Sequence, residues 1–186
     1  MRQVFCHFAF RRPKGKDYGL FAVVYFWDFK GTKEIGHFTV KQKLWENQQF
    51  VTAIQSYNFA LTTISKLQSY MRDSKINQVM LVTDNSILAD WIETPNKNKY
   101  YTEYMEKAVR DYRIGANREI TVGVGLCDPF EKEKAYKYCS EEYITDIFDE
   151  SKDSIVSTEK GKYKSVLDIL NEVEPQPVID GMKEVF

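Results

Sequence analysis

The stretch from residue 81 to residue 92, LVTDNSILADWI, holds the carboxylate that is best placed to do chemistry. An apolar run ends at Thr83, Asp84 follows, and an amphipathic stretch begins directly afterwards. A side chain at the carboxyl end of a strand, just before a helix, lies where α/β proteins commonly bind their ligands. Asp84 could therefore be a catalytic metal ligand, or it could cap the helix that follows. We favour the cap, because a cap needs no second carboxylate nearby.

Other kinds of reactive site find little support in the sequence. Its three cysteines show no CxxC spacing, and it has only two histidines, so neither a zinc site nor a disulfide framework is predicted. No glycine-rich phosphate loop or nucleophile elbow occurs. The N-terminus does not resemble a signal peptide, and no apolar run reaches the length of a membrane span. We therefore expect free thiols and a cytoplasmic protein.

Two basic segments interleaved with or flanked by aromatic residues, at residues 11–16 and 97–101, are candidates for binding a phosphate backbone. Arginine and lysine side chains bind phosphate, and neighbouring aromatic rings offer stacking surfaces for bases. The alternative is that both segments are ordinary solvated loops. The net charge of -1 is unevenly distributed, since residues 143–186 carry ten acidic side chains and five lysines. A mildly basic body is compatible with nucleic-acid binding, and the acidic tail could contact a protein partner. The candidate nucleic-acid-binding residues are Arg11, Arg12, Lys14, Lys16, Lys97 and Lys99.

Hydrophobic periodicity predicts an α/β chain of order βββαβααβα. Strands are expected over residues 3–10, 20–29, 35–45, 77–83 and 119–126. Helices are expected over residues 46–71, 85–93, 100–112 and 131–148. With 43% apolar and 28% charged residues, the chain is rich enough to bury a core. Residues 1–148 are interpreted as the domain and residues 149–186 as an acidic C-terminal extension, in which residues 165–172 could form a short helix.

This order of elements resembles the type 1 ribonuclease H fold, and three local motifs support the resemblance. The turn after the first strand holds Pro13 and Gly15, and Tyr18-Gly19 opens the second strand. Thr83-Asp84-Asn85 is similar to the Thr-Asp-Ser that ends the family's fourth strand. Residues 132–139, KEKAYKYC, look like a degraded form of the motif that begins its last helix. The resemblance covers residues 1–148 and implies a five-stranded mixed sheet flanked by helices.

The resemblance implies a nuclease fold whose catalytic positions are mostly changed in this chain. The family cleaves the RNA strand of RNA–DNA hybrids with two Mg²⁺ ions held by four carboxylates. The first position falls at His7, or at Cys6, and the second at Tyr57 or Asn58. Asp84 retains the third, and the fourth falls at Tyr136. No aspartate or glutamate occurs in residues 1–10 or 47–72, so a small alignment shift does not restore the site.

The predicted function is a non-catalytic ribonuclease H-like domain, a pseudoenzyme without a cofactor, that binds nucleic acid or serves as a protein-interaction module. One alternative is a nuclease dependent on Mg²⁺ or Mn²⁺ that cleaves the RNA of RNA–DNA hybrids at a site rearranged around Asp84. A second alternative is an adaptor or inhibitor that binds only protein. The carboxylates that could rebuild a metal site are Asp17, Asp128, Glu131 and Glu133.

Overall fold

The computed structural model describes residues 2–70, 76–115, 120–144, 146–149 and 154–157. Within these ranges the chain forms seven strands and four α-helices. The strands are β1 (Arg2–Arg11), β2 (Tyr18–Phe26), β3 (Glu34–Lys43), β4 (Ile76–Thr83), β5 (Thr121–Leu126), β6 (Asp146–Asp149) and β7 (Ser154–Ser157). The helices are α1 (Gln49–Tyr70), α2 (Ser86–Glu93), α3 (Lys99–Gly115) and α4 (Glu133–Tyr138).

The strands form one mixed sheet of order β5-β4-β1-β2-β3-β6-β7. The first three strands are an antiparallel meander, as short turns between apolar runs allow. β4 and β5 follow in parallel on the other side of β1, after helical crossovers. The five-stranded mixed sheet predicted from the sequence is therefore confirmed, and β6 and β7 extend it beyond β3.

Both faces of the central strands are buried, which explains why the sequence of β2 is apolar throughout. Phe21, Val23 and Tyr25 pack in the cluster that includes α1 and α3. The alternate residues Ala22 and Val24 pack on the other face, together with side chains of α4. Because successive side chains of a strand point to opposite faces, one strand serves two cores.

The predicted helix over residues 131–148 is wrong beyond residue 138. A short 3-10 turn (Pro129–Lys132) leads into α4, which ends at Tyr138. Ser140 is extended, and its hydroxyl accepts from the amide of Glu142 to start a second 3-10 turn. The β-branched and aromatic residues that follow favour the strand β6.

The predicted boundary between residues 148 and 149 falls within β6. The possible helix at residues 165–172, and most of the acidic extension, lie outside the described residues. Among the helices that the structure describes, none combines the length and apolar character that crossing a membrane requires.

Candidate functional site

Asp84 lies at the carboxyl end of β4, and both oxygens of its carboxylate accept hydrogen bonds from the protein. The Lys132 ammonium donates to Oδ1 at 2.9 Å. The Tyr136 hydroxyl donates to Oδ2 at 2.5 Å. The side chain of Asp84 is only 15% exposed, so these bonds form in a largely desolvated environment. The structure thus brings together two of the positions identified from the sequence, Asp84 and Tyr136, and adds Lys132 to them.

Lys132 is the feature of this site that the sequence analysis missed. Its side chain is 2% exposed, and a buried ammonium is costly unless it is paired. Besides Asp84, its partners are the rings of Phe8 and Tyr136, whose centroids lie 5.4 and 5.2 Å from Nζ. The spacing of four residues between Lys132 and Tyr136 was the available signal, because side chains at this spacing share one face of a helix.

The electrostatics of the cluster keep the aspartate ionised and the tyrosine protonated. Partial burial by itself raises the pKa of Asp84, but the charge of Lys132 and the bonds from Tyr136 and Lys132 outweigh it. The pKa of Asp84 is therefore lowered. Burial and the hydrogen bond to Asp84 raise the pKa of Tyr136, so its hydroxyl remains a donor. Both shifts stabilise the same arrangement of charge and protons at neutral pH.

The prediction that Asp84 caps α2 is wrong by one residue. Asn85 is the cap, and its side-chain oxygen accepts from the amides of Ile87 and Leu88, each at 3.0 Å. Aspartate and asparagine are similarly good capping residues, so their order in the sequence could not decide between them. Because Asn85 caps the helix, the Asp84 carboxylate is left to face Lys132 and Tyr136.

His7 is a packed core residue and does not line the cleft beside Asp84. Its side chain is 1% exposed. Nε2 donates to the carbonyl oxygen of Phe29 at 2.8 Å, and the ring packs against Phe26 at a centroid distance of 4.6 Å. Burial is the largest influence on the pKa of His7 and lowers it, although the hydrogen bond to Phe29 opposes this shift.

The neutral burial of His7 predicts a stability that declines in mild acid. The pKa of His7 is below 6.5 in the folded protein and about 6.5 in the unfolded chain. Below pH 6.5 the unfolded state therefore binds the proton first. The free energy of unfolding should fall as pH drops from 6.5 towards the folded pKa, by at most about 1.4 kcal/mol per pH unit from this group. Urea denaturation between pH 8 and 5 measures it. His7→Gln should flatten the decline, and an unchanged slope in that variant would contradict the assignment.

Tyr57 and Asn58 also have structural roles away from the cleft. Tyr57 is buried in the core between α1 and the sheet. The Asn58 amide donates to the carbonyl of Ala108 at 2.9 Å and so ties α1 to α3. The residues of α1 that line the cleft are Gln49, Ala53 and Ser56. The two residues that the resemblance matches to the family's second carboxylate therefore lie on the wrong side of the helix.

The cleft beside Asp84 has a volume of about 390 Å³ and is mainly uncharged. Asp84 and Lys132 are the charged residues among those that line it. The polar ones are Gln49, Ser56, Thr83, Asn85, Ser86 and Tyr136. The apolar ones are Phe8, Ala9, Phe10, Ala53, Ile87 and Leu88. Phe8 and Ala9 of β1 line the cleft, whereas His7, which the resemblance matches to the family's first acidic position, does not.

The residues present do not fit a pair of divalent metal ions. Mg²⁺ and Mn²⁺ prefer several oxygen ligands of negative charge, and the described lining of the cleft supplies one carboxylate that is already paired with Lys132. No group of three or more histidine, cysteine, aspartate or glutamate residues within the described parts of the chain could hold a metal. Glu131 accepts instead from the amide of Asp128, at 3.1 Å. Neither Glu133 nor Asp17 lines the cleft.

The loop between β1 and β2 forms a second, more open cavity of about 740 Å³. The amide of Lys16 donates to the carbonyl of Pro13 at 3.2 Å, and Gly15 takes the positive φ of 76° that this turn requires. Tyr18 pairs with Lys43, so the end of β3 lies beside the loop. One acidic residue, Asp17, lines the same cavity. We call the four cations that line it the basic cradle: Arg12, Lys14, Lys16 and Lys43.

The Arg12 side chain is held in the cradle by the start of α1. Its guanidinium donates to the side-chain oxygen of Gln49 at 3.1 Å and to that of Asn47. Arg12, Lys14 and Lys16 were predicted from the sequence to lie together, whereas Lys43 was missed because it is distant in sequence. Arg11 is exposed at the end of β1 and does not line the cradle.

The second predicted basic segment lies apart from the cradle. Lys97 pairs with Asp90 at 2.6 Å, between exposed side chains, and lines a separate surface hollow after α2. Lys99 is exposed at the first residue of α3. Neither lysine lines the cradle or the cleft. The six basic residues predicted from the sequence therefore do not form one contiguous surface.

Comparison with known proteins identifies the fold. No protein-family model matches the chain, and a search of curated proteins finds no match. Among solved structures, RNase H1 from Halobacterium salinarum NRC-1 is similar with a TM-score of 0.52 and 10% identity, over 73% of this chain and 92% of that chain. LC11-RNase H1 in complex with an RNA/DNA hybrid is similar with a TM-score of 0.54 and 13% identity, over 72% of this chain and 91% of that chain.

The N-terminal RNase H domain of a Mycobacterium tuberculosis protein gives a TM-score of 0.54 at 8% identity, over 75% of this chain and 91% of that chain. At such identities the likeness concerns the fold alone. The predicted ribonuclease H-like fold is thereby confirmed, and what the fold does in this chain has to be argued from its own residues.

Proposed function

We propose that this ribonuclease H-like domain binds nucleic acid without cleaving it. One observation carries the proposal: both carboxylate oxygens of Asp84 are engaged by Lys132 and Tyr136. A metal ligand must offer lone pairs to the ion, and each oxygen of Asp84 already accepts one hydrogen bond, so fewer lone pairs remain for a metal. Lys132 also places a positive charge 2.9 Å from the carboxylate, where it would repel a divalent cation.

Recruiting a metal to Asp84 would require the cluster to be dismantled. Lys132 would have to leave a site where it is almost fully buried, and the Tyr136 hydroxyl would lose its acceptor. Breaking a buried ion pair costs several kcal/mol, and a single carboxylate gives a weak Mg²⁺ site in return. The free-energy balance therefore favours the protein-only cluster over a metal-loaded one.

The basic cradle supplies a feature that nucleic-acid binding requires. Four cations on one loop and the adjacent strand end can contact successive phosphates, and an arginine fork can bind one phosphate through two hydrogen bonds. Asn47 and Gln49 orient Arg12 in advance, which lowers the entropy lost on binding. A solved relative of the same fold has been described with an RNA/DNA hybrid, which supports nucleic acid as the ligand class.

A cleavage assay with a labelled RNA–DNA hybrid tests the absence of catalysis. We expect no cleavage above the background of buffer alone in Mg²⁺ or Mn²⁺, because the cleft cannot hold the ions. Binding of the same hybrid without metal, measured by fluorescence anisotropy, should weaken steeply as salt increases.

The Asp84→Asn variant is the control for the cleavage assay. Metal-dependent cleavage that this variant abolishes would overturn the proposal in favour of the nuclease rearranged around Asp84. Failure of the protein to bind any nucleic acid at low salt would also overturn it, in favour of an adaptor that contacts protein alone.

A further inference from the structure

The cavity that holds the basic cradle and the cleft beside Asp84 are adjacent and have one lining residue in common. Gln49, at the first residue of α1, lines both of them. Its side-chain oxygen accepts from Arg12 of the cradle at 3.1 Å. A ligand that places a phosphate beside Arg12 therefore brings its neighbouring chemical group to the mouth of the cleft. In a nucleotide, the group next to the phosphate and sugar is the base.

The cleft suits an aromatic, uncharged group better than it suits a phosphate or a metal ion. Its two charges, Asp84 and Lys132, neutralise each other at 2.9 Å, so it offers no net charge to an anion or a cation. Phe8 and Phe10 give it aromatic lining, and Ala53 provides the space that a larger side chain would fill. Desolvating a planar ring against such surfaces is favourable, whereas desolvating an unpaired charge is costly.

The same cleft offers polar groups for the edge of a ring. Ser86 contributes a hydroxyl and Gln49 an amide, whereas the buried Ser56 hydroxyl already donates to the carbonyl of Ala53 at 2.6 Å. Pockets that bind small aromatic groups combine a largely apolar lining with a few such groups, and a volume of about 390 Å³ lies within their usual size. A nucleobase has both features, a stacking face and a hydrogen-bonding edge.

We propose that the cleft binds one unpaired nucleobase of a single-stranded nucleic acid whose phosphate lies in the basic cradle. This inference rests on the proposed function and specifies its ligand. In an intact duplex or hybrid the base edges are paired and stacked, so a base would have to be extruded first, at a cost of a few kcal/mol. The domain accordingly prefers single strands to hybrids, although its fold relatives include a protein described with a hybrid.

Three probes of the same length, about twelve nucleotides, test this in fluorescence anisotropy at low salt. They are a single-stranded oligonucleotide, the same strand in an RNA–DNA hybrid, and a strand of the same sugar-phosphate backbone without bases. We expect the single strand to bind about tenfold or more tightly than either of the others, because stacking of one base contributes about that much.

Two matched variants separate the cleft from the exposed surface. Phe10→Ala removes a ring that lines the cleft. It should weaken binding of the base-containing single strand by about tenfold and leave the affinity for the abasic strand unchanged. Phe130→Ala removes a ring that is 75% exposed and does not line the cleft, and it should change neither affinity. Thermal unfolding checks that both variants are folded, and Phe10→Tyr should keep the wild-type affinity.

The possible contrary results distinguish the base-binding inference from the proposed function. Equal binding of the single strand and the abasic strand, or tighter binding of the hybrid, would overturn the base-binding inference alone. Absence of binding to all three probes would overturn the proposed function as well. Saturable binding of adenosine monophosphate as tight as that of the single strand would also overturn the inference, and would assign the cleft to a free nucleotide.

Discussion

Replacing Lys132 with methionine is expected to lower the free energy of unfolding by about 3–5 kcal/mol. The substitution retains an apolar chain of similar length, so packing against Phe8 is largely kept. It leaves the Asp84 carboxylate, 15% exposed, with the Tyr136 hydroxyl as its remaining hydrogen-bond donor in the cluster. A largely buried charge without a counter-charge is strongly destabilising. Denaturant unfolding followed by circular dichroism measures the loss directly.

A double-mutant cycle shows whether the loss comes from the unpaired charge. Asp84→Asn removes the carboxylate charge, so the double variant with Lys132→Met should regain much of the stability that Lys132→Met loses. Tyr136→Phe removes one hydrogen bond and should cost about 1–3 kcal/mol. A loss below about 1 kcal/mol for Lys132→Met would contradict a desolvated pair, since that is the range of exposed salt bridges.

The cluster also gives stability a second dependence on pH. Because the pKa of Asp84 is lowered in the folded protein, its contribution is complete above its unfolded pKa of about 3.9. The contribution is lost as pH falls through the lower, folded value. This window is well separated from that of His7, which begins near pH 6.5. Two steps in acid are therefore expected. Asp84→Asn should reduce only the lower one, to which Asp28 and Glu34 also contribute because their pKa values are lowered as well.

The sequence determined the five-stranded sheet because each of its strands is a local pattern. Apolar runs, turn residues and the long amphipathic helix α1 are all readable without tertiary information. The segment after β5 was harder to predict, since residues 131–148 combine helix-forming lysines and glutamates with a β-branched segment. The strand β6 forms there because β3 offers an edge for parallel pairing at Val40 and Lys41. Such an edge exists only in the folded sheet.

The candidate site was only partly predictable for a related reason. Asp84 and Tyr136 were identified by their position in motifs, and in the structure the Tyr136 hydroxyl lies 2.5 Å from Oδ2 of Asp84. Lys132 is one of many lysines in the sequence, and apart from its spacing of four residues from Tyr136 nothing local distinguishes it from a lysine that stays exposed. Its burial depends on a carboxylate 48 residues away. The facing side of α1 is likewise set by packing, which selects Ser56 over Tyr57 and Asn58.

Replacing the three lysines of the basic cradle with glutamine is expected to weaken nucleic-acid binding by on the order of a hundredfold at about 0.1 M salt. The lysines are Lys14, Lys16 and Lys43, and all three are exposed, so the fold should not change. Each phosphate contact to a single strand releases about 0.7 of a counterion. A plot of log affinity against log salt concentration therefore has a negative slope of about 0.7 per contact. Loss of three contacts should therefore reduce the slope by about 2. Anisotropy titrations between 0.05 and 0.3 M salt, a range in which screening lengths are about 6 to 14 Å, measure both quantities.

A matched triple variant of the same net charge distinguishes a local contact from the overall field. Lys30, Lys33 and Lys137 are exposed and line neither the cradle nor the cleft. Their replacement by glutamine should change the affinity by less than about threefold, since charges beyond a Debye length are largely screened at this salt. Equal losses from the two variants would contradict a defined cradle, because they would mean that total charge alone attracts the strand. The cradle variant alone should show a smaller slope of log affinity against log salt, and Phe10→Ala should leave that slope unchanged. This combination would assign the phosphate and the base to separate parts of one continuous surface.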